Sequence, residues 1–212
     1  HVTVTDFQKN AMALSGEGLV VNVHDCITTG SGYTSVTAQN GIQVSYGAGG
    51  TISRCDISEI GYTGPDWSAS GLLILQGGSP VTVSEFNGPH VITNVQCPVN
   101  WYDTNGSMSG IEVSGGADWG PIFVYNSNAD KDLKGSAKRP PAAPLDTEGG
   151  KRAAGDKALF TVDVHSCCLT GTHVAETVGI WAYTEGGGLV VNATNNIVHD
   201  WDYGFATTGA NA

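Results

Sequence analysis

The sequence predicts an all-β solenoid, a ribbon of short strands wound into about six or seven coils and interrupted by one long inserted loop. Three observations predict it. The segment from Gly41-Ile42-Gln43-Val44 to Gly64 recurs in degenerate form along the 212 residues. Apolar and polar residues alternate within each copy, and Gly, Asn and Asp punctuate the copies, which is the pattern of period-two strands separated by turns. The repeat is too short to bury its own apolar face, so the copies must stack to form a core.

Taken in order, the coil openings are Gly41-Ile42-Gln43-Val44, Gly71-Leu72-Leu73-Ile74, Pro121-Ile122-Phe123-Val124 and Gly179-Ile180-Trp181-Ala182, with a last one starting at Gly204-Phe205-Ala206-Thr207. Alternation points Ile42 and Val44, Leu72 and Ile74, and Ile122 and Val124 inward. It points Gln43 and Ser45, Leu73 and Leu75, and Phe123 and Tyr125 outward. Later in each coil come Thr51 to Ser58, Val162 to Thr170 and Val191 to His199, again alternating. A turn position that faces the interior holds Cys26, Cys55, Cys167 and Asn196 in different coils, which reads as a ladder of small side chains. Outward positions on these later strands hold Ile27, Asp56, Val91, Glu112, Cys168 and Ile197, a mixed strip that hints at a contact surface or a remodelled one.

The stretch 127–158 breaks the pattern and holds seven of the nine Lys and Arg residues. Its Pro140-Pro141-Ala142-Ala143-Pro144 centre reads as an extended, flexible inserted loop, a tolerated excursion or a lid. The remainder, 1–212 with this loop set aside, is expected to be one elongated domain.

A net charge of −11 argues against nucleic acid and anionic membranes as partners, since both require a basic face. There is no apolar run of about eighteen residues to span a membrane. The sequence opens at His1-Val2-Thr3, which reads as a mature or trimmed product. The five cysteines sit on ladder strands, as core residues do. Cys26 and Cys55 are expected about 4.8 Å apart, near enough for a disulfide but badly oriented for one.

On these repeats the chain resembles the right-handed parallel β-helix, or pectate-lyase-like, superfamily over nearly its whole length outside the loop. The resemblance implies that fold and a secreted or cell-surface location. It also implies what catalysis would need: clustered acids holding Ca²⁺ beside an Arg or Lys base, or several Asp with an Arg-x-Lys signature. Neither pattern is present. Outside the loop the cations are Lys9 and Arg54, the latter expected to meet Asp56. No catalytic residue and no cofactor are therefore assigned; Ca²⁺ enters by resemblance alone, and the reading leans away from an enzyme.

Binding residues are easier to nominate. Tyr102, Tyr125 and Tyr183 fall in one outward column, with Phe123 and Trp181 beside the last two, making an aromatic stripe on a solvated sheet. Loops into new coils carry acid–aromatic pairs: Asp66-Trp67, Asp118-Trp119 and Asp200-Trp201, with Asp6-Phe7 in the first coil. Exposed rings beside carboxylates suit an extended glycan, although stacked rings also serve as an inter-coil ladder. Asp66 with Asp118, or Asp200 with Asp202, could in principle split acid and base roles. His24-Asp25-Cys26 and His165-Ser166-Cys167-Cys168 resemble metal-ligand pairs, but they lie on the order of 19 Å apart at about 4.8 Å per coil, so no metal is assigned. A ladder cysteine is also a poor nucleophile.

Two functions follow. The first is an extracellular β-helix that binds polysaccharide along the aromatic face, with lyase or hydrolase activity unsupported. The alternative is a non-catalytic structural or adhesion module, an excised or engineered scaffold included. It would self-associate through uncapped coil ends, where Val4 to Ala11 matches Val198 to Phe205 and strand edges invite pairing.

Overall fold

The computed structural model describes residues 1–86, 88–118, 120–127, 137–138, 159–172, 177–185 and 188–209. Among them it is an all-β parallel solenoid. β1 (Val2–Thr5) and β2 (Asn10–Ser15) make the opening turn. β3 (Val20–Thr34) bends through a corner and leads to β4 (Asn40–Ser45). β5 (Gly49–Tyr62) does the same ahead of β6 (Trp67–Ser68) and β7 (Ser70–Leu75). The next coils take three strands each: β8 (Val81–Ser84), β9 (His90–Val95) and β10 (Cys97–Tyr102), then β11 (Gly106–Ser109), β12 (Ile111–Gly116) and β13 (Ile122–Asn126). After β14 (Ala137–Lys138) come β15 (Leu159–His165), β16 (Cys168–Thr170) and β17 (Val178–Thr184), and finally β18 (Gly188–Thr194), β19 (Ile197–His199) and β20 (Tyr203–Gly209).

Each coil has three legs. The first is built from the leading halves of β3 and β5, then β8, β11, β15 and β18. The second is built from β1, the trailing halves of β3 and β5, then β9, β12, β16 and β19. The third is a separate seven-stranded sheet, β2-β4-β7-β10-β13-β17-β20. All pairings along the legs are parallel, coil to next coil.

Single residues in the left-handed region turn the corners: Asp25, Arg54, Ser166 and Asn195 between first and second legs, Asp6, Glu59, Asn94 and Asp200 between second and third, and Tyr46, Gln76 and Asp103 between third and first. A one-residue kink changes direction without leaving the ladder. The N–H groups of Tyr46, Gln76 and Asp103 still donate to Leu75, Tyr102 and Tyr125 of the following coil, so the corner backbone stays hydrogen-bonded.

The inward columns agree with the alternation. Ile42, Leu72, Val99, Ile122 and Ile180 are register partners on the third leg and are all buried in one continuous core. The interior turn column contains Cys26 opposite Cys55 and Cys167 next to Asn196, and adds His90 and Ile111. Asn196 Oδ1 accepts the Cys167 N–H at 3.0 Å. His90 Nδ1 does the same job for the Cys55 N–H at 3.3 Å, so Nε2 carries the proton and donates to the Ser84 carbonyl at 3.0 Å. Burial holds the His90 pKa below its ordinary value, which keeps the ring neutral. All five cysteines are free thiols; Cys26 and Cys55 donate to the carbonyls of His24 and Ser53 rather than bridging.

The expected loop over 127–158 lies outside the described residues except for three. Ser127 is buried and donates to Asp103 through both its N–H and its hydroxyl. Ala137 and Lys138 pair antiparallel with Ser68 and Trp67.

Candidate functional site

The aromatic residues nominated from sequence do line up. Tyr102 is the register partner of Tyr125, and Tyr125 of Tyr183, while Phe123 is opposite Trp181 one column over. Ring centroids are 5.2 Å apart for Tyr102 and Tyr125, 5.1 Å for Tyr125 and Tyr183, and 5.3 Å for Phe123 and Trp181, distances at which rings contact directly.

The expectation of a solvated stripe is corrected. Tyr102, Phe123 and Trp181 are 1%, 3% and 4% exposed. With Leu73, Leu75 and Val178 they form a second apolar cluster on the outer face of the third leg, separate from the solenoid core; Tyr125 and Tyr183 sit half-buried at its margin. Leu73 and Leu75 adjoin the rings, and an outer face this apolar gains more from being covered than from being wetted. Trp181 Nε1–H is satisfied by the Thr208 hydroxyl at 2.7 Å. Burial pushes the Tyr125 hydroxyl up, with the Glu185 carboxylate adding to it. The geometry is that of an inter-coil ladder.

The acid–aromatic pairs divide. Asp66, Asp200 and Asp6 all have left-handed backbones, but in the coil of Asp118 the corner that aligns with Asp6 and Asp200 is Gly115, and Asp118 comes after a left-handed run of Gly115, Gly116 and Ala117. Its carboxylate accepts from the Tyr33 hydroxyl at 2.7 Å and from Gln96 Nε2 at 3.1 Å, so it ties together coils far apart in the chain. Asp200 accepts from His199 Nδ1 at 2.8 Å. Trp201 is half-buried and donates to the Leu169 carbonyl at 3.1 Å, closing a corner onto the preceding coil. Trp67 lies in β6, opposite Lys138 of β14. Trp119 lies outside the described residues.

Arg54, expected to meet Asp56, hydrogen-bonds Asp25 of the preceding coil. Hydrogen bonds from His24 and then Arg54 hold the Asp25 carboxyl below the usual range. Among the described residues no group of three or more His, Cys, Asp or Glu could hold a metal ion. The Ca²⁺ that the resemblance implies therefore does not fit the residues described, and no chemistry is routed through it.

The thiols make a testable contrast. Burial pushes Cys55 and Cys97 up to about 12 and Cys167 up to about 11, whereas Cys168 is half-buried on the outward column opposite Ile197. Alkylation of the folded chain at pH 8 should modify Cys168 alone, and all five cysteines should react in denaturant. Rapid native labelling of Cys55 or Cys167, read by peptide mass, would contradict the buried ladder.

A comparison with family models, one with curated proteins and one with solved structures each return no match.

Proposed function

We propose that this chain is a non-catalytic structural β-helix module, secreted or surface-exposed, whose outer aromatic row serves as an inter-coil ladder. The observation that carries the proposal is on the outer face of the third leg: Tyr102, Phe123 and Trp181 are 1%, 3% and 4% exposed, and rings of successive coils meet with centroids 5.1, 5.2 and 5.3 Å apart, close enough to hold one coil on the next.

The pectate-lyase-like resemblance supports the coil and adds no catalytic group to it. A Gly-, Thr- and Ser-rich composition with few lysines supports an extracellular setting. The polysaccharide reading needs accessible rings, and three of the five in the outer row are covered.

Affinity electrophoresis on a glycan panel tests the proposal. No glycan should retard the folded chain, and Tyr125→Ala with Tyr183→Ala should lower the urea midpoint by loosening the ladder; retardation that this double substitution abolishes would refute the proposal and restore the sugar reading.

A further inference from the structure

We infer that Asn105 is a site of spontaneous covalent modification: its carboxamide is attacked by the amide nitrogen of Gly106, which gives the solenoid a slow ageing step at the corner between β10 and β11. The reactants are the chain itself and water.

The sequence has three Asn-Gly steps, at residues 40, 87 and 105. Such a step offers this chemistry the least hindrance, because the residue that supplies the nitrogen has no side chain. Residue 87 lies outside the described residues, and the fold treats the other two in opposite ways. Asn40 opens β4 at 0% exposure. Its Nδ2 donates to Asn10 Oδ1 at 2.9 Å and to Gln43 Oε1 at 3.4 Å, and its main-chain N–H donates to the Lys9 carbonyl at 2.7 Å. The would-be leaving group and the backbone beside it are both tied down. Asn105 is exposed and lies between strands. Its Oδ1 accepts the Thr161 N–H of the next coil at 2.8 Å, and its Nδ2 has no hydrogen-bond partner among the described residues.

That arrangement suits a substitution at Cγ. The Gly106 nitrogen, having lost its proton to hydroxide, forms a bond to Cγ while the carbonyl electrons move to Oδ1. The Thr161 N–H already points at Oδ1 from the distance at which a donor stabilises an oxyanion. The Cγ–Nδ2 bond then breaks, and Nδ2 takes up a proton and departs as ammonia. Water opens the resulting succinimide at either carbonyl. Opening at Cγ leaves aspartate; opening at the main-chain carbonyl leaves isoaspartate, whose backbone runs through the former side chain and is one methylene longer.

Packing demands both members of this labile pair. A Cβ at residue 106 would lie 2.0 Å from the Val81 carbonyl oxygen and 2.8 Å from the Trp101 ring, and Asn105 supplies the acceptor for the Thr161 N–H. The Asn105 carbonyl also accepts the Val81 N–H at 3.0 Å. A methylene inserted between residues so closely held shifts β11 against β8 and β15, its two partners on the first leg.

The test incubates the folded, unmodified chain warm at pH 8 and reads each Asn-Gly peptide for the mass gain of amide-to-acid conversion, with isoaspartate identified by an isoaspartate-specific carboxyl methyltransferase. Asn105 should convert, and faster at higher pH because the attacking nitrogen must lose its proton. Asn40 must wait for β4 to open, so its conversion should be slower by about tenfold or more. In denaturant the two should convert at similar rates. Equal rates in the folded chain, or an Asn105 that stays intact while the denatured chain converts, would overturn the inference. Hydrogen exchange on the aged chain should show lost protection in β8, β11 and β15, whereas Asn105→Asp, which adds the charge without the methylene, should keep it. Equal loss in Asn105→Asp would assign the effect to charge and overturn the backbone insertion; the two rate comparisons hold whether or not that variant folds.

Discussion

Trp101→Ala should destabilise the chain by about 3–5 kcal/mol, the range for emptying a buried large aromatic site. Trp101 is fully buried, with Val99 and Val124 beside it in the third-leg core. Its indole spans the interior toward the first leg, where a Cβ added to Gly106 would lie 2.8 Å from the ring. The absence of a side chain at 106 makes the room that the indole fills. Nε1–H also donates to the Thr104 carbonyl at 2.7 Å, so truncation opens a cavity and strands a buried acceptor at once. Trp101→Phe separates the two losses: most of the volume is kept and the hydrogen bond is not, for an expected cost of about 1–3 kcal/mol. Urea unfolding followed by tryptophan-independent far-UV circular dichroism measures both. A Trp101→Ala loss below about 1 kcal/mol would mean that neighbouring coils collapse into the space.

That complementarity was not legible in the sequence, and the reason separates what could be read from what could not. The coil was legible because stacking in register repeats one requirement at one position. Ile42, Leu72, Ile122 and Ile180 answer the same need, and the repetition exposes it. Trp101 and Gly106 answer a need that occurs once, between the third leg of one coil and the first leg of the next, and leave no periodic trace. His90 was missed similarly. It accepts a backbone N–H where Asn196 does so elsewhere, and a chemical equivalence between imidazole and carboxamide does not show as sequence similarity.

The aromatic row was half legible. Its alignment followed from coil spacing, but its burial depends on what lies over the third leg, which alternation within a coil does not encode. A signal was nevertheless present. Leu73 and Leu75 share the outward face with the rings, and two leucines side by side on a face read as solvated are a contradiction that burial resolves. The corner acids were misread because spacing alone does not assign the kink: Asp6 and Asp200 occupy it, whereas Asp118 comes after the left-handed run Gly115, Gly116 and Ala117.

Gly50→Ala should be the most disruptive small substitution in the opening coils, and its consequence should be local in a way that a globular core would not allow. Gly50 has φ 128°, and an added Cβ would lie 2.1 Å from the Val21 carbonyl oxygen and 2.8 Å from the Val21 nitrogen, both backbone atoms. Rotating a side chain cannot relieve this. Either Gly50 changes conformation or β3 and β5 separate, and forced occupancy of a disfavoured backbone region alone costs about 1–3 kcal/mol. With the collision added, a loss of about 3 kcal/mol or more is expected. Gly18→Ala is the control: it also has positive φ, at 73°, but open space around the new atom, so about 1 kcal/mol of conformational cost should be all it shows. In a solenoid each coil is held by its neighbours. Prying β3 from β5 should therefore release the opening turn while β8 to β20 stay folded, and hydrogen exchange should show β1, β2 and β3 losing protection and β10, β13 and β17 keeping it. Uniform loss of protection along the chain would show that the coils unfold as one unit, and would remove the premise that each coil is held by its neighbours.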